Sequence, residues 1–206
     1  MMKLLGGYLS PYVRRCAVSL NAMGLPWEFE AVKVWDNPEA VKKYNPLVRI
    51  PTLVLDDGEV LVESYAILDA LDEMAGDKRL TPASGKARRD VMKVTAVAAG
   101  AIDKTIWAVY EGRFHPKEKI HAPWVEHNET QAIGGMTWLD ELAAKAGPSG
   151  YLCGPTMTQA DVSSVVAYTF ASIARPKLGV AEKLPNLAAF AARLEVTEPF
   201  SKAKPI

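Results

Sequence analysis

The chain has 206 residues, 49% of them hydrophobic and 23% charged, and its 24 lysines and arginines balance 24 aspartates and glutamates. That mixture excludes a disordered chain, and basic signals no longer than pairs such as Arg14-Arg15, Lys42-Lys43 and Arg88-Arg89 argue against a nucleic-acid partner. No segment nears the roughly 18 to 20 continuous apolar residues of a membrane span, and the start lacks an apolar stretch of signal-peptide length. The expectation is a cytoplasmic protein without a membrane partner, and Cys16 and Cys153, far apart in sequence, suit a reducing compartment.

Lys3-Leu4-Leu5-Gly6-Gly7 is a short apolar run closed by glycines, and the spacing beyond it turns helical. Ser10 suits the cap of that helix, and Pro11 suits its first position, where a missing amide hydrogen costs nothing. Val13, Cys16, Ala17, Leu20 and Met23 share one face, and Gly24 with Pro26 ends the helix, so Cys16 reads as core filler. Residues 27–34 have strand composition, Asp36-Asn37-Pro38 is a turn, and a short helix follows over residues 39–44. Residues 45–55 form a loop feeding an apolar strand, Asp57-Gly58 is a hairpin turn, and residues 59–62 pair back. Glu63-Ser64 then opens a helix striped by Ala66, Ile67, Ala70, Leu71 and Met74 and closed by Gly76.

Residues 77–86 have linker composition, and helical spacing dominates beyond them. One long helix is predicted over residues 87–110, where Ala96, Ala98, Ala99, Gly100 and Ala101 permit close backbone approach, and another over 124–146, after Pro116 and Pro123. Thr158-Gln159-Ala160-Asp161 is a capping box with an acidic fourth residue, leading into Val162, Val165, Val166, Phe170 and Ile173. Leu187, Phe190, Ala191 and Leu194 mark a last helix. The predicted domains are residues 1–78 and 87–206.

The order β-α-β-α-β-β-α, with Ser10-Pro11-Tyr12-Val13 at the first helix, Ile50-Pro51 before the third strand and Glu63-Ser64 at the last helix, resembles the cytosolic glutathione transferases. The Thr-x-x-Asp start after Tyr-Leu-Cys-Gly extends the likeness over essentially the whole chain, and the serine at position 10 is similar to that of serine-type, bacterial-like members. The resemblance implies an α/β thioredoxin-like N-terminal domain plus an all-α C-terminal domain. It also implies glutathione as co-substrate, a small electrophile as second substrate, a homodimer and a role in detoxification, with no metal.

The chemistry implied is stabilisation of a thiolate, the form of sulfur that attacks an electrophile. Ser10 is the expected hydrogen-bond donor to that sulfur, with Tyr8 and Tyr12 as competing hydroxyls; on its own spacing Ser10 is simply a helix cap. Ile50, ahead of a family-like cis-Pro51, is expected to bind the peptide through its main chain, and Arg49 reads equally as a side-chain contact or a solvated charge. Glu63 and Ser64 fit the γ-glutamyl end, which carries both an ammonium and a carboxylate. Lys33, Asn37, Lys42 and Lys43 all stay open for the glycine end. Asp103 resembles an acidic residue that some relatives extend across a dimer interface, and reads equally as an intrahelical charge pair. Tyr8, Trp107, Tyr110, Arg113 and Phe114 are the expected electrophile pocket.

Glutathione-dependent isomerisation or dehalogenation is the alternative reaction, and a noncatalytic binding or regulatory protein the alternative class. His115, His121 and His127 lack same-face spacing, so no metal site is expected. Nucleotide-binding glycine motifs, a hydrolase elbow and Cys-x-x-Cys are absent from the sequence.

Overall fold

The computed structural model describes residues 1–205. The elements are β1 (Met2–Gly6), α1 (Pro11–Met23), β2 (Trp27–Ala31), α2 (Glu39–Lys42), β3 (Thr52–Val54), β4 (Val60–Val62), α3 (Ser64–Ala75), α4 (Gly85–Phe114), α5 (Ala122–Ala146), α6 (Gln159–Ala174), α7 (Val180–Lys183), α8 (Pro185–Glu195) and α9 (Glu198–Ser201). They form two compact units, Met1–Leu80 together with the segment from Val196 onward, and Thr81–Glu195. The sequence reading had assigned the C-terminal segment to the helical half.

In the first unit the sheet order is β2-β1-β3-β4, with β1 parallel to β2 and antiparallel to β3, and β3 antiparallel to β4. Leu4 and Leu5 of β1 point to opposite faces and both are fully buried, so the central strand is covered on both sides. On one face Leu5 joins Val32 and Val41 in a core bordered by Tyr44, Ile50 and Val54. β2 ends at Ala31, three residues short of the sequence expectation, because its partner β1 ends at Gly6 and a strand persists only while it is paired.

α1 packs against α3 and α9. Gly6, at φ 154°, lets α1 approach β1: a Cβ there would stand 2.4 Å from Val13 Cγ2. α9 closes this unit through Phe200, which is fully buried, while Arg14 Nε and Asn21 Nδ2 donate to the carbonyls of Ala203 and Pro199 at 2.8 and 2.9 Å.

The second unit is helical, with α4, α5 and α6 packed on one another and α8 against α5 and α6. The capping box is formed as the sequence predicts: Asp161 Oδ2 accepts from Thr158 N at 2.7 Å and from its hydroxyl at 2.8 Å, and Oδ1 accepts from Leu152 N at 2.8 Å. α6 is buried along most of its length. α4 runs four residues past the expected end, which puts Arg113 and Phe114 in its last turn, and α5 takes Pro123 into its first turn, where proline is tolerated. No helix is long and apolar enough to cross a membrane among the described residues.

Candidate functional site

β1 and β4 both run antiparallel to β3, so they point the same way, and α1 and α3 follow directly after them. The N-termini of both helices therefore lie at one end of the sheet. A helix N-terminus presents unpaired amide N–H groups and a partial positive charge, so this end is suited to two anionic groups.

Ser10 is the N-cap of α1, with Pro11 in the first turn. Its Oγ accepts from Val13 N at 3.5 Å, a long cap bond, and its own hydroxyl proton has no acceptor among the described residues. The cap thus leaves a donor to spare at the positive end of a helix. Tyr8 is stacked on Phe29 with ring centroids 4.2 Å apart, and burial raises its phenol above the ordinary value, so it stays protonated.

The start of α3 is built differently. Ser64 is its first residue and is buried, while Glu63 at the cap has φ 64°, in the left-handed region that a non-glycine residue enters only when its surroundings hold it there. Glu63 Oε1 pairs with Arg49 Nη1 at 3.3 Å, which ties the start of α3 to the loop before β3. In that loop the Ile50–Pro51 peptide bond is cis.

Asn45, which sequence reasoning missed, organises the loop. It is fully buried; its amide nitrogen donates to Arg49 O at 2.9 Å and to Thr52 Oγ1 at 3.4 Å, and its Oδ1 accepts from Leu47 N at 2.9 Å. The only local signal was an asparagine before a proline, which reads as ordinary turn chemistry. Arg49, Ile50, Pro51, Glu63 and Ser64 are thus brought together, at the sheet end where Ser10 also lies.

The remaining candidates lie on α4. Asp103, Trp107, Tyr110 and Phe114 recur at intervals of four, three and four, so they share one face. Asp103, Trp107, Arg113 and Phe114 are exposed. Tyr110 meets Phe114 edge to face at 5.1 Å, and the Arg113 guanidinium lies 5.7 Å from the Phe114 ring centroid.

Two of the three histidines meet Glu111, one of them through its backbone. His115 Nδ1 is 3.3 Å from Glu111 Oε2, His127 stacks on Trp124, and His121 donates its backbone N–H to Glu111 Oε1. Among the described residues no group of three or more His, Cys, Asp or Glu is arranged to hold a metal ion.

Residues 4–79 match the family model described as Glutathione S-transferase, N-terminal domain. The whole chain has the glutathione S-transferase fold, a thioredoxin-like domain followed by a helical one. A glutathione S-transferase from Methylobacillus flagellatus KT, solved with glutathione bound, superposes with a TM-score of 0.92 at 27% identity, covering all of both chains. An uncharacterized GST-like protein, YibF, from Escherichia coli K12 is 31% identical over 110 residues, which is 53% of this chain and 54% of that protein. A maleylpyruvate isomerase from a Ralstonia species is 33% identical over 100 residues, 47% of this chain and 46% of that one. The matched stretch is about half the length of each of these two curated relatives.

Proposed function

We propose that this protein binds glutathione and conjugates it, through its thiolate sulfur, to a small electrophile. The observation that carries the reading is Ser10: a hydroxyl with an uncommitted proton, at the N-terminus of a 13-residue helix, on the sheet end that also bears Ser64. A thiol with a pKa near 8.5 needs about 2.7 kcal/mol of preference for the anion to titrate two units lower. A hydrogen bond to a charged group supplies about 1.5 to 3 kcal/mol, and a helix N-terminus up to about 2 kcal/mol in a partly buried site. Ser10 and α1 together match that requirement.

In this reading the thiol proton passes to solvent, the Ser10 hydroxyl donates to the resulting thiolate, and a sulfur lone pair forms the new bond to the electrophilic carbon. That carbon's bond to a leaving group such as halide breaks as the new bond forms, the halide departing with the electron pair. Ser64 and the amides of the first turn of α3 receive the γ-glutamyl carboxylate, and Glu63, oriented by Arg49, faces the ammonium. Ile50 offers main-chain groups that no described residue engages. Tyr8, stacked on Phe29, is the electrophile-side candidate of the first unit, and Trp107, Tyr110, Arg113 and Phe114 on α4 are those of the second. A cytoplasmic homodimer in which Asp103 approaches the ligand amine belongs to the same proposal.

A second reaction is favoured by one observation, the similarity to a maleylpyruvate isomerase. There the thiolate adds to the substrate and leaves again once a bond has rotated. Calorimetric titration with glutathione, run beside ultraviolet absorbance of the thiolate, tests the shared core of both readings. Binding with a thiolate signal in wild type, and loss of that signal with retained affinity in Ser10→Ala, is the expected result. Absence of binding overturns both reactions, and binding without any thiolate favours a noncatalytic glutathione-binding protein. Comparing conjugation of aryl halides with isomerisation of a cis-enedione substrate separates the two chemistries.

A further inference from the structure

Arg15 is completely buried in α1, and its Nε, Nη1 and Nη2 have no hydrogen-bond or ion-pair partner among the described residues. A guanidinium keeps its proton in a protein, and an uncompensated charge in the interior is costly, so a buried arginine of this kind is usually tied to an anion. The neighbouring Arg14 is engaged with the Ala203 carbonyl.

The Arg15 guanidinium carbon lies 4.3 Å from the centroid of the Tyr65 ring. Tyr65 is the second residue of α3, directly after Ser64, and its side chain is half exposed. Long side chains on a helix lean toward its N-terminus, so Arg15 reaches back toward the end of α1 that carries Ser10, and the stack holds its head beside the first turn of α3. In that turn the first intrahelical hydrogen bond is Ile67 N to Glu63 O, which leaves the amides of Ser64, Tyr65 and Ala66 open next to the buried Ser64 side chain. Cys16, adjacent on α1, is held neutral by burial. Glu63, the cap of α3, is engaged with Arg49, and the acids of the helix that are nearest in sequence, Asp69 and Asp72, have partners other than Arg15, Asp72 accepting from Leu80 N. A buried, unneutralised cation thus stands behind an open helix N-terminus.

We propose that Arg15 is a positioning residue for the γ-glutamyl carboxylate of glutathione, adding its charge to the N-terminal field of α3 and holding the first turn of that helix through Tyr65. This rests on the glutathione reading above. Arg15 acts from behind the turn and does not touch the ligand, because no part of it reaches the surface. Its effect is therefore specific to the one ligand group that the turn receives.

The test is a cycle between residue and ligand. Wild type, Arg15→Met and Arg15→Lys are titrated with glutathione and with 4-aminobutyryl-cysteinyl-glycine, which is glutathione without the γ-glutamyl α-carboxylate. Arg15→Met is expected to weaken glutathione about 5- to 10-fold, the scale of one charge acting on an anion at a helix terminus, while changing the analogue less than about 2-fold. Arg15→Lys recovers part of the loss. Equal weakening of both ligands overturns the proposal, since a purely structural arginine would produce it.

If Arg15→Met does not fold, Tyr65→Leu carries the same test from a half-exposed position. It is expected to weaken glutathione selectively, and Tyr65→Phe, which keeps the ring, to leave it unchanged; no selectivity in Tyr65→Leu overturns the proposal. Wild type that binds neither ligand defeats the glutathione reading itself, whereas wild type that binds both, with no carboxylate-dependent effect of either substitution, defeats only the role of Arg15.

Discussion

At the scale of single residues, Ser10 does two jobs that a substitution separates. Its oxygen caps α1 weakly, at 3.5 Å from Val13 N, and its proton is free for a ligand. Ser10→Ala is expected to cost the fold about 0.5 kcal/mol, the low end for a lost cap, but to raise the thiol pKa of bound glutathione by about 1 to 2 units, read from thiolate absorbance against pH. The two cysteines behave in the opposite way to an activated thiol. Burial pushes Cys16 up to about 12, with the Arg15 charge working against it, and burial followed by the Asp161 and Asp90 charges pushes Cys153 up to about 11. Neither is expected to react with a disulfide reagent within minutes at pH 8 in native protein, whereas both react once it is unfolded; one fast thiol in the native state would contradict this. A raised folded pKa stabilises the protein fully below the unfolded thiol value near 8.5, and that contribution is lost as pH rises toward 12. Cys16→Val is accordingly expected to flatten the alkaline limb of stability measured by denaturant unfolding.

At the scale of elements, helix ends tell the clearest story. Glu129 on α5 accepts from Arg175, just past the end of α6, at 2.6 Å and from Lys177 at 2.9 Å. Burial alone would raise its carboxyl, but the hydrogen bonds from Lys177 and Arg175, followed by their charges, prevail and lower it. A depressed carboxylate contributes stability above its unfolded pKa, near 4.3, and loses it as pH falls through the lower folded value. Glu129→Gln is expected to cost about 1 kcal/mol at pH 7 and to lose that cost in acid, as seen in urea midpoints at pH 7 and pH 3. The capping box of α6 was legible because its four residues fall within one turn. The Glu129 pairing was not: its partner Arg175 lies 46 positions away and met it only when α5 and the end of α6 came together. The loop before β3 shows the same divide, since Ile50-Pro51 stood out in the sequence while Asn45, which holds that loop, looked like any turn asparagine.

At the scale of the whole molecule, the first unit is closed by the last residues of the chain. Phe200 is fully buried there, and Phe200→Ala is expected to destabilise the protein by about 3 to 5 kcal/mol, as a lower thermal midpoint. Glutathione at 100 times its dissociation constant is expected to add about 2.7 kcal/mol, a rise of roughly 5 to 10 °C for a chain of this size, and no rise would count against the proposed ligand. The sequence by itself determined the β-α-β-α-β-β-α order up to α3, the cap of α1, the box of α6 and the resemblance that the family match supports, because each is written in residues a few positions apart. Only the tertiary structure decided that Arg49 would pair with Glu63, that Arg15 would be buried against Tyr65, and that the C-terminal segment would return to the first unit. Those contacts depend on which strands pair and in which direction, and on burial removing the water that would otherwise make such partners optional. Periodicity along one chain reports which face of a helix is apolar; it does not report what will come to lie against it.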